Sequence, residues 1–190
     1  MKDFWHLIET AFAGVGAWLG YFLGGNDGSM DLLNEGIALM TGDGVAQNYD
    51  AAMQRFLTAD EAGNKKAARY VGLLYEQGLG VEQDYALAAS WYEKGVNAGD
   101  LTSGYYLGLL YKQGLGVAQD CERAAEYFAS VAASENKSAT GVIDAGYELA
   151  QLYEQGLGVE QDIDRAVALY REAADYGHEA ASAALARLGQ

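Results

Sequence analysis

Glycine pairs followed by an acidic or amide residue are the clearest pattern in this chain that could bind a ligand. The stretch YEQGLGVEQD occurs at 75–84 and again at 153–162, a near copy, YKQGLGVAQD, occupies 111–120, and a fainter one, LMTGDGVAQN, occupies 39–48. A G-x-G turn binds a dinucleotide when it follows a strand, contains a third glycine and opens onto a helix. Here no third glycine follows, and in three copies an acid stands where the next helix would begin and would repel a phosphate. We therefore interpret the pattern as structural.

Other residues that could carry out chemistry are scattered. His6, His178 and Cys121 are far apart in sequence, and they show neither metal-ligand spacing nor a nucleophile beside a base. Acidic residues such as Glu93 and Glu126 fall on the polar face of predicted helices, where charged side chains are usually solvated. The sequence therefore predicts no catalytic residue, no metal site and no cofactor.

Composition favours helices and protein partners. The 190 residues include no proline, and 51% are hydrophobic, which suits a helical chain with a substantial core. The net charge is −15, so the surface would repel a nucleic-acid backbone. A protein or peptide, above all a basic or apolar segment, fits this charge better. The single cysteine cannot form an internal disulfide.

The glycine pattern belongs to a repeat that must position every other residue. The first glycines of the four copies, Gly42, Gly78, Gly114 and Gly156, are separated by 36, 36 and 42 residues, a period typical of helical solenoids. An apolar run precedes each loop and a second run follows it. Ala88 and Tyr92-type residues recur four apart in the second runs, which places them on one helical face. Each copy therefore predicts a helix A, a loop and a helix B.

The loop residues have the types that such a joint needs. A glycine directly after helix A can take the left-handed conformation that ends a helix, and Asn or Asp before helix B can cap its first turn. The predicted structural loop residues are Gly42, Gly44, Gly78, Gly80, Gly114, Gly116, Gly156 and Gly158, with Asn48, Asp84, Asp120 and Asp162 as caps.

These features divide the chain into an apolar N-terminal segment with its linker, 1–29, and a repeat domain, 30–190. The expected repeats span about 30–65, 66–101, 102–143 and 144–179, and a capping helix spans 180–190. A lone terminal helix is a usual cap for a solenoid.

Over about 32–190 the pattern resembles the Sel1-like repeat, a member of the tetratricopeptide-like helical solenoids. An L-G-x-L-Y-like run, G-x-G-V-x-x-D, an alanine, an aromatic pair such as Trp91–Tyr92 and a closing glycine carry the resemblance. The first copy departs from it, because Asp43 replaces leucine and Leu39 replaces tyrosine. The resemblance implies an all-α fold, a right-handed α-solenoid of helix-turn-helix repeats that binds other proteins.

In tetratricopeptide-like solenoids the A helices line the concave groove, and tyrosine and arginine are common interface anchors. Helix A residues that the core does not need are therefore candidates for binding a partner. The candidate groove residues are Lys66, Arg69, Tyr70, Thr102, Tyr105, Tyr106, Tyr147 and Glu148.

The N-terminal segment does not fit the repeat. No residue from Ala11 to Gly25 is charged, and a helix over residues 4–25 would be about 33 Å long, close to the thickness of a hydrocarbon core. Gly16, Gly20 and Gly24 form two G-x-x-x-G units, which weaken a helix in water but let helices pack closely in lipid. The pattern favours a membrane helix at 4–25.

Three other interpretations of this segment stay open: a helix packed onto the first repeat, a secretory signal, and a wrongly assigned start or fusion remnant. Residues 4–28 also resemble the first hydrophobic segment of phage holins of the toxin-secretion type. That resemblance implies a bacterial or phage-derived origin and an inserting helix, although acidic repeats follow where a holin would continue with apolar helices.

The expected function is a non-catalytic scaffold that binds a partner peptide or helix in the groove, in the bacterial cytoplasm or tethered to a membrane on a side that the sequence does not fix. The alternatives are a membrane-lysis or secretion accessory acting through the N-terminal helix, and an enzyme. A hydrolase like the cysteine-rich relatives of this repeat is disfavoured, because their paired cysteines are absent.

Deleting residues 1–29 tests the tether. We expect the full chain to pellet with membranes and the shortened chain to stay in the supernatant while it keeps a cooperative helical melt. A full chain that is monodisperse without detergent would exclude the tether.

Overall fold

Residues 28–138 and 140–190 are described in a computed structural model. Within these ranges the regular secondary structure consists of helices joined by turns. The helices are α1 (Ser29–Thr41), α2 (Tyr49–Glu61), α3 (Ala67–Gln77), α4 (Tyr85–Asn97), α5 (Leu101–Gln113), α6 (Cys121–Ala132), α7 (Val142–Gln155), α8 (Ile163–Asp175) and α9 (Glu179–Arg187). Four helix A–helix B pairs are followed by the single helix α9. The all-α, helix-turn-helix repeat class predicted from the sequence is confirmed.

The predicted membrane helix at 4–25, with Gly16, Gly20 and Gly24, lies outside the described residues and stays a prediction. Among the helices that are described, none is long and apolar enough to span a membrane. Ser29, assigned to the linker from sequence, is the first residue of α1 and is buried.

The chain divides into two compact units, residues 1–67 and 68–190. In the described part of the first unit, α1 packs on α2, and Leu33 and Phe56 are almost fully buried. The Asn64 amide donates a hydrogen bond of 3.4 Å to the Ser29 hydroxyl, which joins the start of α1 to the residues after α2.

In the second unit each helix B packs on the following helix A. One cluster joins α4 to α5, a second joins α6 to α7, and a third joins α7, α8 and α9. The buried residues of the third cluster are Ala150, Ala166, Tyr170, Ala173, Ala181 and Ala184. Because every pair buries apolar surface against the next helix, α9 covers the apolar face that α8 would otherwise expose.

An aromatic ring of helix B is buried against helix A in every repeat, and in the first three it lies directly over the helix A backbone. Phe56, Tyr92, Phe128 and Tyr170 occupy one register position and are at most 1% exposed. In the first three repeats the helix A residue beneath the ring is a glycine, Gly36, Gly72 or Gly108, and a Cβ there would lie 2.5–2.6 Å from a ring carbon. The missing side chain therefore lets the two helices of a repeat approach closely.

The loop is closed by the same hydrogen bonds in all four repeats. The side chains of Asn48, Asp84, Asp120 and Asp162 each accept from a backbone N–H in the first turn of helix B at 2.9–3.0 Å. A glutamine just before each cap donates to a carbonyl in the last turn of helix A at 2.7–2.9 Å; these residues are Gln47, Gln83, Gln119 and Gln161. The loop thus satisfies backbone groups at both helix ends.

The second glycine of the loop also joins neighbouring repeats. Gly116 has φ +67°, and a Cβ there would lie 2.2 Å from the Tyr85 carbonyl carbon at the start of α4. Gly158 has φ +69° and stands in the same relation to Cys121 at the start of α6. Backbone contact, in addition to backbone conformation, therefore requires glycine at these two positions.

Gly158→Ala should destabilise the chain more than Gly177→Ala. Both glycines have left-handed φ, which costs a residue with a side chain about 1–2 kcal/mol. Gly177 has open space around it, whereas the Cβ at 158 would add an overpacking cost of about 1–3 kcal/mol. Urea unfolding followed by circular dichroism measures both, and equal losses would contradict the backbone contact.

Candidate partner-binding site

The A helices of the second unit present a run of large side chains at two adjacent register positions. These positions hold Arg69 and Tyr70 on α3, Tyr105 and Tyr106 on α5, and Tyr147 and Glu148 on α7. Helices α5 and α9 can be aligned by their N-cap residues, Asp100 and His178. In this alignment Ala183 and Ala184 of α9 lie at the positions of Tyr105 and Tyr106 of α5. We call the surface formed by these residues the A-helix face.

Two of the residues expected in the groove are buried instead, so that part of the prediction is wrong. Arg69 is 8% exposed and forms an ion pair with Asp100 at 3.2 Å. Thr102 is 5% exposed and its hydroxyl donates to the Thr140 carbonyl at 2.8 Å. Both side chains connect one helix A to the next helix A of the unit and are not available to a partner. Lys66 is exposed and belongs to the first unit.

Tyrosines of α4 and α5 form one aromatic group. The ring of Tyr106 stacks on that of Tyr92 with centroids 5.3 Å apart and an interplanar angle of 17°, and Tyr105 lies 5.4 Å from Tyr106. The Tyr92 hydroxyl donates to the Glu76 carboxylate. Burial, and after it the Glu76 charge, raises the pKa of Tyr92 far above its ordinary value, so this phenol stays protonated and keeps its bond to Glu76. Tyr70 and Tyr106 are half-buried and reach the surface.

Between α5 and α7, a salt bridge lies at the position that the stack of Tyr106 on Tyr92 has in the preceding repeat. Lys112 lies at the register position of Glu76, and its ammonium contacts the Glu148 carboxylate at 2.5 Å and the Gln151 amide oxygen at 2.8 Å. The neighbouring helix B residue is Phe128, which has no hydroxyl to donate. Because an ammonium cannot accept a hydrogen bond, Lys and Phe fit together here as Glu and Tyr do in the repeat before.

An open pocket of about 400 Å³ lies between α7 and α9. Its wall on α9 consists of Ala180, Ala183, Ala184 and Arg187, and the opposite side consists of Tyr147, Gln151, Glu154, Gln155 and Tyr170. The pocket forms on the A-helix face where α9 has alanines at the positions that hold tyrosine or glutamate on α5 and α7.

A hydrogen-bonded carboxylate lines this pocket. Glu154 accepts from Arg187 at 2.6 and 2.8 Å and from the Tyr170 hydroxyl at 2.8 Å. Hydrogen bonds from Arg187, and in smaller part the bond from Tyr170, lower the pKa of Glu154, which therefore stays ionised near neutral pH. The Arg187 guanidinium itself is exposed at the rim.

His178 has a structural role that the sequence analysis missed. Its Nδ1 accepts from the Ala181 N–H at 3.1 Å and so caps α9, while its ring stacks on Tyr147 with centroids 4.4 Å apart. The register of the repeat could have indicated this role. His178 follows the closing glycine of its repeat at the same position as Asp100, and Asp100 caps α5. The pairing of Glu76 with Tyr92 and of Glu154 with Tyr170 could also have been predicted from the sequence. Both copies with a tyrosine on helix B have a glutamate at the end of helix A, whereas the copy with Phe128 has a lysine there.

No cluster of three or more His, Cys, Asp or Glu side chains able to hold a metal occurs in the part of the chain that the structure describes. Cys121 is half-buried at the first turn of α6, where Gly158 packs on its backbone. The arrangement on the A-helix face is thus one of aromatic rings, amides and paired charges.

Asp100→Ala should destabilise the chain more than Asp84→Ala. Both residues cap a helix, and loss of an exposed cap costs about 1 kcal/mol. Loss of Asp100 also leaves the Arg69 charge buried without its partner, which costs about 3–5 kcal/mol. Denaturant midpoints of the two variants check this; similar midpoints would show that the ion pair contributes little.

The helix pairs of this chain are similar in sequence and structure to those of known proteins. The Sel1 repeat family matches residues 36–54, 65–100, 105–136 and 143–178, one match for each helix pair. No curated protein sequence matches the chain. Among solved structures, a protective antigen present in uropathogenic Escherichia coli strains, which displays an SLR fold, is 28% identical with a TM-score of 0.71, over 80% of this chain and 32% of that one.

A Sel1 repeat protein from Oxalobacter formigenes is 29% identical with a TM-score of 0.70, over 80% of this chain and 60% of that one. The chain thus spans about a third and three fifths of the length of these two relatives. Because the family matches all four helix pairs and most of the sequence, the chain belongs to the Sel1 repeat family.

Proposed function

We propose that this protein is a scaffold whose A-helix face, within residues 68–190, binds an extended or helical segment of a partner protein. Sel1 repeat proteins are generally non-catalytic interaction scaffolds, and family membership supports a role in protein–protein interaction. The observation that supports a defined binding place is the pocket between α7 and α9.

The pocket has the properties of a side-chain anchor site. Its volume of about 400 Å³ lies within the range of 300–1,000 Å³ that is usual for ligand sites. Tyr147 provides aromatic surface, and the exposed alanines Ala180 and Ala183 provide a wall with little side-chain entropy to lose on binding. Gln151 and Gln155 add amide groups that can bond a peptide backbone.

Charge narrows the kind of partner. The chain has a net charge of −15, and two carboxylates, Glu148 on the A-helix face and Glu154 in the pocket, are already paired with Lys112 and Arg187. A neutral segment can therefore enter the pocket without displacing an ion pair, and basic residues outside the pocket would be attracted by the surrounding field. An acidic segment would be repelled.

Ala183→Arg, compared with Ala186→Arg, tests this proposal. Both alanines are exposed on α9, but Ala183 lines the pocket and Ala186 does not. The full chain is used to select binders from a displayed library of random peptides, and their affinities are measured by fluorescence polarisation. We expect Ala183→Arg to weaken binding at least about tenfold, the loss of about 1.4 kcal/mol, and Ala186→Arg to leave it unchanged.

Ala180→Arg serves as a second block of the same wall. Peptides that bind the unchanged chain, and whose affinity neither Ala183→Arg nor Ala180→Arg alters, would show that the partner site lies elsewhere and would overturn the proposal. Circular dichroism melts of all three variants show that the helices are intact.

A further inference from the structure

Helices α3, α5 and α7 each end in a glutamine that the fold does not use. Gln77, Gln113 and Gln155 are the last residues of these helices, and all three are exposed. Their side-chain amides form no hydrogen bond with another residue in the described part of the chain, whereas the loop glutamine Gln83 donates to the Glu76 carbonyl at 2.7 Å. Other good helix formers would serve equally well at this position, so the fold alone does not require glutamine. We call these three residues the glutamine row.

The glutamine row lies along the A-helix face. Gln155 lines the pocket between α7 and α9 together with Tyr147 and Gln151. These three residues are four apart in sequence, so they form one stripe along α7. Gln77 and Gln113 have the same register on α3 and α5, directly before the first loop glycine. Each of the three helices therefore offers one exposed amide on the side that a partner would meet.

An amide side chain has the same kinds of hydrogen-bonding group as a peptide bond, a carbonyl acceptor and an N–H donor. A row of amides can therefore bond the backbone of a bound segment whatever its side chains are. A helical segment uses its backbone groups internally, whereas an extended segment leaves them available. The glutamine row thus favours an extended segment over a helical one, a choice that the pocket alone does not decide.

The spacing of the helices narrows the extended conformation further. Neighbouring A helices are joined side by side, since Arg69 of α3 pairs with Asp100 at the start of α5, and Lys112 of α5 pairs with Glu148 of α7. The axes of packed helices are about 8–10 Å apart. Three residues of a polyproline II segment advance about 9 Å and complete one turn, so residues three apart present the same edge. In a β-strand the same edge recurs after two residues and about 7 Å, which is shorter than the helix spacing.

We propose that the A-helix face binds a partner segment in the polyproline II conformation through its backbone, with Gln77, Gln113 and Gln155 hydrogen-bonded to peptide groups three residues apart. This inference rests on the proposed function and adds the conformation of the bound segment and the groups that hold it. Contact with all three amides needs a segment of at least about seven residues. Because the amides are neutral, they hold the backbone without disturbing the ion pairs of the face.

Alanine variants of the glutamine row test the proposal with the peptides selected against the full chain. Gln77 and Gln113 do not line the pocket, so Gln77→Ala and Gln113→Ala leave its walls intact. We expect each variant to weaken binding about two- to tenfold, the effect of one lost hydrogen bond. Gln54→Ala, which changes an exposed glutamine on α2, is the matched control and should leave the affinity unchanged.

The fold should tolerate these changes, because alanine suits an exposed helix position, and circular dichroism melts check that it does. Unchanged affinity in both Gln77→Ala and Gln113→Ala would overturn the inference. Equal losses in Gln54→Ala and in the two row variants would overturn it as well, since the effect would then not depend on the A-helix face.

An ester scan of a selected peptide tests the bound conformation. Replacing one peptide bond at a time by an ester removes a single N–H donor, weakens one carbonyl acceptor and leaves every side chain in place. We expect the affinity to fall at positions three residues apart, and one of these losses should disappear in Gln113→Ala, because the bond is then already missing. Losses at every second position, no losses at all, or helical carbon chemical shifts of the bound peptide would overturn the inference.

The same peptides separate this inference from the proposed function. Binders that are sensitive to Ala183→Arg and to the row variants support both. Binders that are sensitive to Ala183→Arg but insensitive to Gln77→Ala and Gln113→Ala overturn backbone recognition and leave the proposed function standing. Insensitivity to Ala183→Arg and Ala180→Arg overturns the proposed function, and the row variants and the ester scan then decide on backbone recognition by themselves.

Discussion

The contact between an aromatic ring of helix B and the backbone of helix A is the constraint on which this structure depends. Four rings, Phe56, Tyr92, Phe128 and Tyr170, are buried at one register position. Burial of such a ring contributes about 1.5–3 kcal/mol, and its truncation to alanine costs about 3–5 kcal/mol. The ring reaches the backbone in three repeats because helix A has a glycine there, and in the fourth it packs in one cluster with the small Ala150. The loop must then be short and rigid enough to hold the two helices at this separation.

The second unit varies this plan at the surface without changing it in the core. A tyrosine on helix B donates to a glutamate at the end of helix A, whereas a phenylalanine leaves that end free to hold a lysine, which pairs with the next helix. Likewise, the register positions that hold the buried ion pair of Arg69 and Asp100 hold the stacked rings of Tyr147 and His178 at the end of the array. Paired replacements of this kind keep buried polar groups satisfied while they change what the A-helix face offers to a partner.

Much of the fold could be predicted from the sequence, because the joints are local. Each cap, such as Asp84, acts on backbone groups two or three residues away, and the glycines end the helix that they follow, so residue type and register determine their place. The burial of Arg69 and Thr102 could not be predicted in that way. Their partners, Asp100 and Thr140, are 31 and 38 residues away, and the side chains are covered only once the helices have stacked. The pocket depends on a similar distant comparison, since the alanines of α9 acquire meaning only against the tyrosines of α5.

The Tyr–Glu hydrogen bond has a consequence for how such a chain can be copied. Glu76 and Glu154 lie inside the two identical stretches, 75–84 and 153–162, and their donors Tyr92 and Tyr170 follow within the same helix pair. A duplication that takes a whole helix pair transfers donor and acceptor together, whereas a crossover within the loop between the third copy and the second or fourth would join a tyrosine to a lysine or a phenylalanine to a glutamate. Exchange of whole helix pairs therefore keeps donor and acceptor matched for every combination of copies, whereas exchange of single helices does so only between the two copies that share the Tyr–Glu pair.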